Sequence, residues 1–336
     1  MTSWLISGGT GSLGQALTRH LLTRPDVTRV AIYSRDERKQ ALMAGAFGAE
    51  ANVDGGRLRF MLGDIRDIEA LEMAMHKVDI VVACAALKRV DSIANNPSEV
   101  VKTNVDGTWR TCLAAIRQHV KRVVFISSDK ACQPTNQYGA SKFMAERLVI
   151  GANTYGAPQG TELVAVRYGN VAGSRGSVIH LWRQAVAKGD PVNLTDERMT
   201  RFWLTLPEAV QLVMQAANPN GVVLAGDLVV PVLPSFRVKD LLRAIAGPDY
   251  PYSVTGRRSG GEKLHESLLA EPEIALTSWI GDNYIVSPEP HPWRANIVRD
   301  PVPFPDGFRY DSDANTRWLG VADLKRRLLD VPEELP

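Results

Sequence analysis

A glycine-rich loop near the N-terminus restricts the fold of this chain more than any other feature. Gly9, Gly11 and Gly14 form the pattern G-x-G-x-x-G, between the predicted strand Ser3–Ser7 and the predicted helix Leu13–Leu22. Glycines at this spacing permit a tight turn and close approach of the backbone to a pyrophosphate, which the helix N-terminus attracts. The pattern predicts a strand–loop–helix unit that binds a dinucleotide; the alternative is a purely structural turn.

Short apolar runs alternate with helix-like stretches over the first half of the chain. Continuous apolar runs are typical of parallel strands buried on both faces, and their alternation with helices favours a doubly wound sheet. We therefore predict an α/β fold, a doubly wound parallel Rossmann sheet with a smaller substrate-binding lobe. The predicted strands are Ser3–Ser7, Arg29–Tyr33, Leu58–Leu62, Ile80–Ala83, Arg122–Ser127 and Leu163–Arg167. The predicted helices are Leu13–Leu22, Asp36–Ala44, Asp67–Met75, Val100–Arg117 and Gln137–Ile150.

The regular alternation loosens after Asn170, where prolines and glycines cluster. Residues 1–170, with returning segments around 195–232, are predicted to form the dinucleotide-binding Rossmann domain. Residues 171–194 and 233–336 are predicted to form the substrate-binding lobe, built from separated segments of the chain.

The composition argues against several classes of protein. The 336 residues are 45% hydrophobic and 23% charged with a net charge of +2, which indicates neither a nucleic-acid nor a membrane-surface partner. An odd, sparse set of three cysteines argues against a disulfide framework and for a reducing compartment. The chain starts with no secretory leader pattern and has no apolar run of roughly 18 residues. We expect a soluble, cytoplasmic protein, and no metal site is predicted.

The residues after the second predicted strand indicate which dinucleotide binds. An NAD site usually has a carboxylate there for the ribose 2′-hydroxyl. Ser34 and Arg35 offer a hydroxyl and a guanidinium instead, which suit a 2′-phosphate, so NADP is favoured over NAD. Two alternatives stay open: Asp36 could bond the ribose, or the cations Arg35, Arg38 and Lys39 could be the solvated face of a helix.

A tyrosine and a lysine, Tyr138 and Lys142, share one face of the predicted helix Gln137–Ile150. The ammonium can hold the phenol in position and lower its pKa. A phenolate can then take a proton from a sugar hydroxyl while a hydride leaves for the nicotinamide. The pair follows the strand end at Ser127 and Ser128 by about ten residues, downstream of a dinucleotide loop. This arrangement resembles the extended short-chain dehydrogenase/reductase family.

An acid and a base, Asp129 and Lys130, follow the same strand end and suit the elimination of water. Plain epimerases of this family have only Ser or Thr here, and dTDP-glucose-type dehydratases have an Asp-Glu pair. Oxidation at C4 acidifies the C5 proton; one residue removes it and the other protonates the departing C6 hydroxyl. Lys130 must be partly neutral to act as the base, which desolvation or nearby cations could achieve. The alternative is a surface ion pair.

Several segments together resemble UDP-N-acetylglucosamine 4,6-dehydratases over nearly the whole chain. They are Ala85–Lys88, Lys102–Asn104, Ser128–Ala131, Tyr138–Lys142, Arg167–Val171, Gly173–Val178, Thr195–Asp196, Met199–Trp203 and Gly261–Glu266. The nearest type is the soluble, C5-inverting enzyme that begins pseudaminic acid synthesis. Tyr138 favours this type, because the membrane-bound retaining relatives and a second soluble group usually carry methionine there.

The resemblance implies a role for each matching residue. Lys130 would be the C5 base and Asp129 the acid for the C6 hydroxyl, while Ser128 would orient the C4 oxygen. Tyr138 and Lys142 would serve the redox step. The implied cofactor contacts are Gly8, Thr10, Gly11, Ser12, Leu13, Ser34, Arg35, Asp36, Arg38, Lys39, Asp64, Ile65, Ala85, Ala86, Lys88, Tyr138, Lys142 and Val171. The implied substrate contacts are Lys88, Asn170, Val178, Thr195, Met199, Arg201, Arg258 and Glu262.

Some of these roles have open alternatives. Arg201 and Arg258 would hold the diphosphate, yet Arg201 could be a structural ion pair and Arg257 could replace Arg258. His265 is interpreted as a satisfied helix residue, and Tyr310 as a possible substrate contact.

The chain departs from the family pattern at three places. Cys84 replaces a histidine, Ser128 replaces threonine but keeps the hydroxyl, and Arg257–Lys263 is one residue longer without its proline. A nucleotide-sugar 4-epimerase and a cofactor-binding scaffold without activity remain alternative functions. The resemblance also implies a homo-oligomer that associates through the helices Val100–Arg117 and Gln137–Ile150.

Overall fold

The computed structural model describes residues 1–51, 56–257, 260–294 and 299–332. Its strands are β1 Thr2–Ser7, β2 Val27–Ser34, β3 Leu58–Leu62, β4 Ile80–Ala83, β5 Arg122–Ile126, β6 Glu162–Val166, β7 Val192–Leu194, β8 Thr200–Phe202, β9 Leu228–Pro231, β10 Ser235–Arg237, β11 Tyr252–Val254, β12 Thr277–Ile280 and β13 Asn283–Val286. Its α-helices are α1 Ser12–Leu22, α2 Glu37–Phe47, α3 Ile68–Ala74, α4 Val90–Asn95, α5 Pro97–Val100, α6 Gly107–Arg117, α7 Gln137–Gly151, α8 Asn153–Gly156, α9 Val178–Lys188, α10 Leu206–Ala217, α11 Val238–Ala246, α12 Glu271–Ile274 and α13 Val321–Leu328.

A nine-stranded sheet, in the order β12-β13-β9-β6-β5-β4-β1-β2-β3, forms the centre of the molecule. The six strands β3-β2-β1-β4-β5-β6 are parallel and have the doubly wound order. The order reverses between β1 and β4, so a crevice opens beyond the carboxyl ends of these strands, where such sheets bind ligands. The predicted fold class is confirmed.

The strands form where the sequence has uninterrupted apolar runs. Leu5 and Ile6 in β1, Val81 in β4 and Val123 and Val124 in β5 are all completely buried. Because helices cover both faces of a parallel sheet, neither face is exposed to solvent, and the strands do not alternate polar with apolar residues. All six predicted strands are present, and their ends differ from the predicted ends by at most two residues.

The helix predicted at Val100–Arg117 is interrupted. A π-helical turn, Val101–Asp106, separates α5 from α6. The wider turn seats Asn104, whose side chain accepts a hydrogen bond from Leu87 N at 2.8 Å and donates one to Leu87 O at 2.9 Å. Such π-turns are common at functional sites, and this one fixes the chain that leaves β4.

A second apolar cluster lies outside the large sheet. Buried residues from α9, β7, α11 and α13, such as Trp182, Leu194, Leu241 and Leu324, pack together. The small sheets β10-β8 and β11-β7 border them. The prediction that all of 233–336 belongs to the lobe is wrong for β12 and β13, because this antiparallel hairpin extends the large sheet at β9.

The helices of the described ranges are all too short or too polar to cross a membrane.

Candidate active site

The glycine loop has the backbone geometry that a pyrophosphate site requires. Gly8 has φ +66°, and a Cβ there would lie 2.8 Å from Ala85 N. A Cβ on Gly14 would lie 2.3 Å from Gly9 O. Only glycine at position 14 therefore lets α1 pack this closely against the loop that follows β1. Gly11 begins α1 without a side-chain cap. The first N–H groups of the helix therefore remain available to an anion, and the loop fits the diphosphate of a dinucleotide.

The end of β2 presents a cation beside a carboxylate. Arg35 Nη1 lies 3.5 Å from Asp64 Oδ2, which Arg66 Nη2 also contacts at 2.7 Å. The Asp36 side chain accepts a hydrogen bond from Lys39 N at 3.0 Å and caps α2. The Asp36 carboxylate also forms an ion pair with Lys39 Nζ at 2.6 Å. These two interactions already occupy the carboxylate that was the alternative ribose ligand. Arg35 is half exposed and directed away from the core.

The other predicted cofactor contacts lie along the same crevice. Ala85 abuts Gly8 at the end of β4, and Val171 forms an isolated bridge with Leu204 after β6. Ile65 is buried after β3. Arg38 and Lys88 are exposed in the ligand-free chain.

Arg175 contacts the glycine loop, although no motif assigns it a role. Its backbone N donates to Ser12 Oγ at 3.0 Å, and its Nη1 contacts Thr10 O at 3.4 Å. Gly173–Val178 was recognised only as a family segment. Nothing local shows that it folds back onto residues more than 160 positions earlier.

The acid and the base form a tight cluster at the end of β5. Lys130 Nζ lies 2.8 Å from Asp129 Oδ2 and 3.1 Å from Asn170 Oδ1. Ser128 Oγ donates to Asp129 Oδ1 at 2.9 Å and accepts from Lys130 N at 3.2 Å, which caps a short 3₁₀ turn. The Asp129 side chain is only 2% exposed. This pair is therefore no surface ion pair.

A second carboxylate, Glu266, reaches the same lysine. Its Oε1 lies 3.1 Å from Lys130 Nζ, and its side chain is 3% exposed. Two bonds tie its loop to the turn after Lys130: Lys263 Nζ donates to Cys132 O, and Thr135 Oγ1 donates to Gly261 O, both at 2.5 Å. Glu266 closes a family segment but received no role in the sequence analysis.

The environment of Lys130 keeps its amine protonated. Burial alone would lower the pKa, but the Asp129 and Glu266 carboxylates outweigh burial, and the pKa is raised. The expectation that desolvation or nearby cations make Lys130 partly neutral is wrong for the ligand-free protein. A neutral base must therefore arise by moving the proton to a neighbour.

Tyr138 and Lys142 lie one turn apart on α7, as predicted, but the Lys142 ammonium contacts other groups. Lys142 Nζ donates to Ile126 O and lies 4.0 Å from the Phe125 ring centroid. Burial raises the pKa of Tyr138, opposed by a hydrogen bond with Ser128 and by the Lys130 charge. The expected lowering of the phenol pKa by Lys142 is absent here.

The depressed pKa of Lys142 predicts a pH dependence of stability. Burial lowers its pKa from 10.5 to about 8. Between these values the unfolded chain binds more protons than the folded one, so the contribution of Lys142 makes stability rise with pH. In denaturant unfolding without cofactor, the free energy of unfolding of wild type should rise relative to that of Lys142→Met between about pH 8 and about pH 10. Parallel curves for the two proteins would contradict this prediction.

Several predicted substrate contacts come from segments after β6. Arg201 is nearly buried and donates to Thr200 O, Leu264 O and Lys263 O, at 2.7, 3.0 and 3.2 Å. These bonds favour the structural alternative for Arg201. Glu262 and Thr195 are half-buried, Met199 is buried, and Val178 begins α9.

Arg258 lies outside the described residues. Arg257 lies within them, and its charge helps to lower the pKa of Asp196, after the larger effect of Arg198.

Two further expectations are corrected. Tyr310 is buried and donates to Pro231 O at 2.8 Å while it accepts from Leu233 N at 2.7 Å, so it is no substrate contact. His265 is satisfied, because its Nδ1 is hydrogen-bonded to Thr200 Oγ1 at 2.8 Å, but it lies in a bend and not in a helix. The described part of the chain has no group of three or more His, Cys, Asp or Glu side chains that could hold a metal ion.

The sheet and its glycine loop define a doubly wound α/β protein. Residues 4–288 match the family described as polysaccharide biosynthesis protein. The chain belongs to this family, and the resemblance deduced from its motifs is confirmed.

Individual relatives resemble the chain over nearly its whole length. The Campylobacter jejuni protein named UDP-N-acetylglucosamine 4,6-dehydratase (inverting) is 36% identical over 328 residues, 95% of each chain. The Rickettsia canadensis protein named UDP-glucose 4-epimerase is 36% identical over 347 residues, covering 98% of this chain and 97% of the relative. Identity alone therefore does not separate dehydration from epimerisation.

Solved structures show the same fold. Pen from Bacillus thuringiensis superposes with a TM-score of 0.87 at 31% identity, covering 99% of this chain and 98% of its own. The Streptomyces venezuelae dTDP-glucose 4,6-dehydratase DesIV, solved with NAD and TYD, has a TM-score of 0.65 at 22% identity, covering 77% of this chain and 86% of its own. The second likeness concerns the fold alone.

Proposed function

We propose that this protein is a nucleotide-sugar dehydratase that converts UDP-N-acetylglucosamine into a UDP-4-keto-6-deoxy-N-acetylhexosamine. The observation that carries the proposal is the Asp129–Lys130 pair, 2.8 Å apart with a buried aspartate, at the strand end beside Tyr138. Epimerisation needs one group for the C4 hydroxyl proton. Elimination of water needs a base for C5 and an acid for the C6 hydroxyl in addition, and this cluster offers both.

The Asp129–Lys130 pair holds one proton that can serve both roles. Transfer of that proton along the 2.8 Å contact turns the ion pair into a neutral amine and a neutral carboxylic acid. A substrate that excludes water favours this neutral form, because a low dielectric penalises charged groups. Lys130 can then take the C5 proton while Asp129 protonates the departing hydroxyl, which restores the ion pair.

The remaining side chains serve the redox step at C4. Tyr138 would take the C4 hydroxyl proton as a phenolate, and Ser128, which hydrogen-bonds with it, would orient the C4 oxygen. The phenol must first release its own proton to solvent, which the Lys142 ammonium would favour once it leaves Ile126 O. A bound nicotinamide cofactor would supply the hydride acceptor at C4 and return the hydride to C6. Lys142 would exchange its hydrogen bond to Ile126 O for one to the cofactor ribose. The position of Tyr138 and Lys142 on one face of α7 permits this contact.

The cofactor we propose is NADP. Asp36 is engaged as the cap of α2, whereas the half-exposed Arg35 guanidinium projects beside Ser34 at the end of β2. A 2′-phosphate would thus meet a cation and a hydroxyl and no free carboxylate. Residues 1–170 with the later strands of the large sheet would bind it, and the lobe would bind the UDP-sugar.

Replacing Arg35 with glutamine is expected to weaken NADP binding roughly 10- to 100-fold and leave NAD binding nearly unchanged, because a hydrogen bond to a charged group contributes about 1.5–3 kcal/mol. Titration calorimetry with both cofactors measures this. Arg326→Gln, on exposed α13, is the matched control. An equal loss of affinity for NADP and NAD would contradict the preference.

The proposed assembly is a homo-oligomer that associates through α6 and α7. Phe143 and Met144 on α7 are 40% and 51% exposed, an apolar surface that a second copy could cover. Sedimentation analysis of Met144→Glu would test the contact.

The test of the function is the mass of the product. Incubation with UDP-N-acetylglucosamine and no added reductant should yield a product lighter by one water. An unchanged mass with inverted C4 would establish the 4-epimerase, which the Rickettsia relatives' name favours. An unchanged substrate with cofactor-loaded protein would indicate a scaffold.

Inversion at C5 is a separate part of the proposal, supported by the name of the Campylobacter relative and by Tyr138. Proton NMR of the early product should show the L-configured sugar. An early product with only the D configuration would exclude inversion.

A further inference from the structure

Glu266 is a carboxylate at the acid–base pair that has no role in the proposed reaction. Its Oε1 lies 3.1 Å from Lys130 Nζ and 3.7 Å from Arg201 Nε. Lys130 is thus held between two carboxylates that come from different parts of the chain.

The position of Glu266 is fixed by its neighbours. Its backbone N donates to Ser312 Oγ at 2.9 Å, and Ser312 in turn contacts Thr200 Oγ1 at 2.7 Å. Its second oxygen, Oε2, is buried and has no hydrogen-bond partner within the described ranges of the chain. An unpartnered buried carboxylate oxygen is costly, so packing alone does not account for a charge here.

We infer that Glu266 is a positioning residue that keeps the single proton on the Asp129–Lys130 pair and sets the pH range in which the pair is active. The inference rests on the proposed dehydration. Without Glu266, burial would drive the proton off Lys130. Asp129 would then have no proton to give to the C6 hydroxyl, and elimination would stop at a lower pH.

Among the residues that the structure describes, the charged and titratable groups that act on Lys130 are Asp129, Glu266, Arg201 and Tyr138. Asp129 and Glu266 stabilise the ammonium, and the Arg201 charge opposes it. Removing the Glu266 charge leaves one carboxylate against two cations. The pKa of Lys130 must therefore fall, and the alkaline limit of activity must fall with it.

The experiment compares pH profiles of kcat and KM for wild type and Glu266→Gln, which keeps the shape and removes the charge. The alkaline limb of kcat/KM should move down by about one to three pH units, while KM below that limb changes little. Glu271→Gln, an exposed glutamate on α12, should leave the profile unchanged. A uniform drop in kcat across all pH values would show a merely structural role and overturn the inference.

A second readout does not depend on turnover. In ligand-free protein, an amine-reactive reagent labels only neutral lysine, and peptide mass spectrometry reports the labelling of Lys130. The pH of half-maximal labelling should be lower in Glu266→Gln than in wild type. Equal values would overturn the inference even if wild type releases water, whereas failure of wild type to release water would overturn only the proposed function.

Discussion

Replacing Lys130 with methionine is expected to lower the rate of water loss from UDP-N-acetylglucosamine by roughly 10²- to 10⁴-fold, the contribution of a positioned acid–base group. Methionine keeps the apolar stem but leaves Asp129 without the proton it shares across 2.8 Å. Cofactor content should stay at the wild-type level, because Lys130 is not part of the glycine loop that would bind the cofactor. Single-turnover assays with mass detection measure the rate, and absorbance of the released cofactor measures its content.

Two comparisons make this result interpretable. Lys325→Met, at an exposed position of α13, should have wild-type activity. Asp129→Asn should lose activity as Lys130→Met does, because one proton serves both residues. Undiminished dehydration by Lys130→Met with bound cofactor would show that another group takes the C5 proton.

Replacing Glu146 with glutamine is expected to reduce the free energy of unfolding by about 1.5–3 kcal/mol, because it weakens hydrogen bonds to a buried arginine that keeps one carboxylate partner. Arg167 is completely buried, and its Nη2 lies 2.5 Å from Glu146 Oε1. Glu273, 2.6 Å from Arg167 Nη1, would be its remaining counter-charge. Glu146 also accepts from Ser127 Oγ at 2.7 Å, so the network supports the strand end that precedes the catalytic pair.

Urea unfolding of Glu146→Gln and wild type in the same cofactor state measures this loss, since bound cofactor stabilises the folded chain by mass action. Glu72→Gln removes a partly exposed pair with Arg117 and should cost no more than about 1 kcal/mol. A loss below about 1 kcal/mol for Glu146→Gln would show that the Arg167 network contributes little net stability.

The parts of the fold that depend on local patterns were predictable. Apolar runs such as β4 are buried on both faces, and the glycine loop joins β1 to α1 at the predicted place. The hairpin β12–β13 was not predictable, because its pairing with β9 joins segments far apart in the chain. The π-turn at Val101–Asp106 was also missed, since its cause is the tertiary bond from Asn104 to Leu87.

The same distinction holds for the site. Asp129 and Lys130 are neighbours in sequence, so their pairing followed from the motif. The protonation of Lys130 did not, because it depends on Glu266, which a distant loop brings within 3.1 Å. The role expected of Tyr310 was wrong for the converse reason, since its family-like segment places the phenol against backbone atoms of β9 and its loop.

Transfer of a labelled hydride tests the proposed reaction most directly. UDP-N-acetylglucosamine that carries deuterium at C4 should give a product that has lost one water and carries the deuterium in its C6 methyl group, with none in added cofactor. Mass spectrometry and deuterium NMR locate the label. Deuterium that remains at C4 in a product of unchanged mass would contradict dehydration and establish epimerisation.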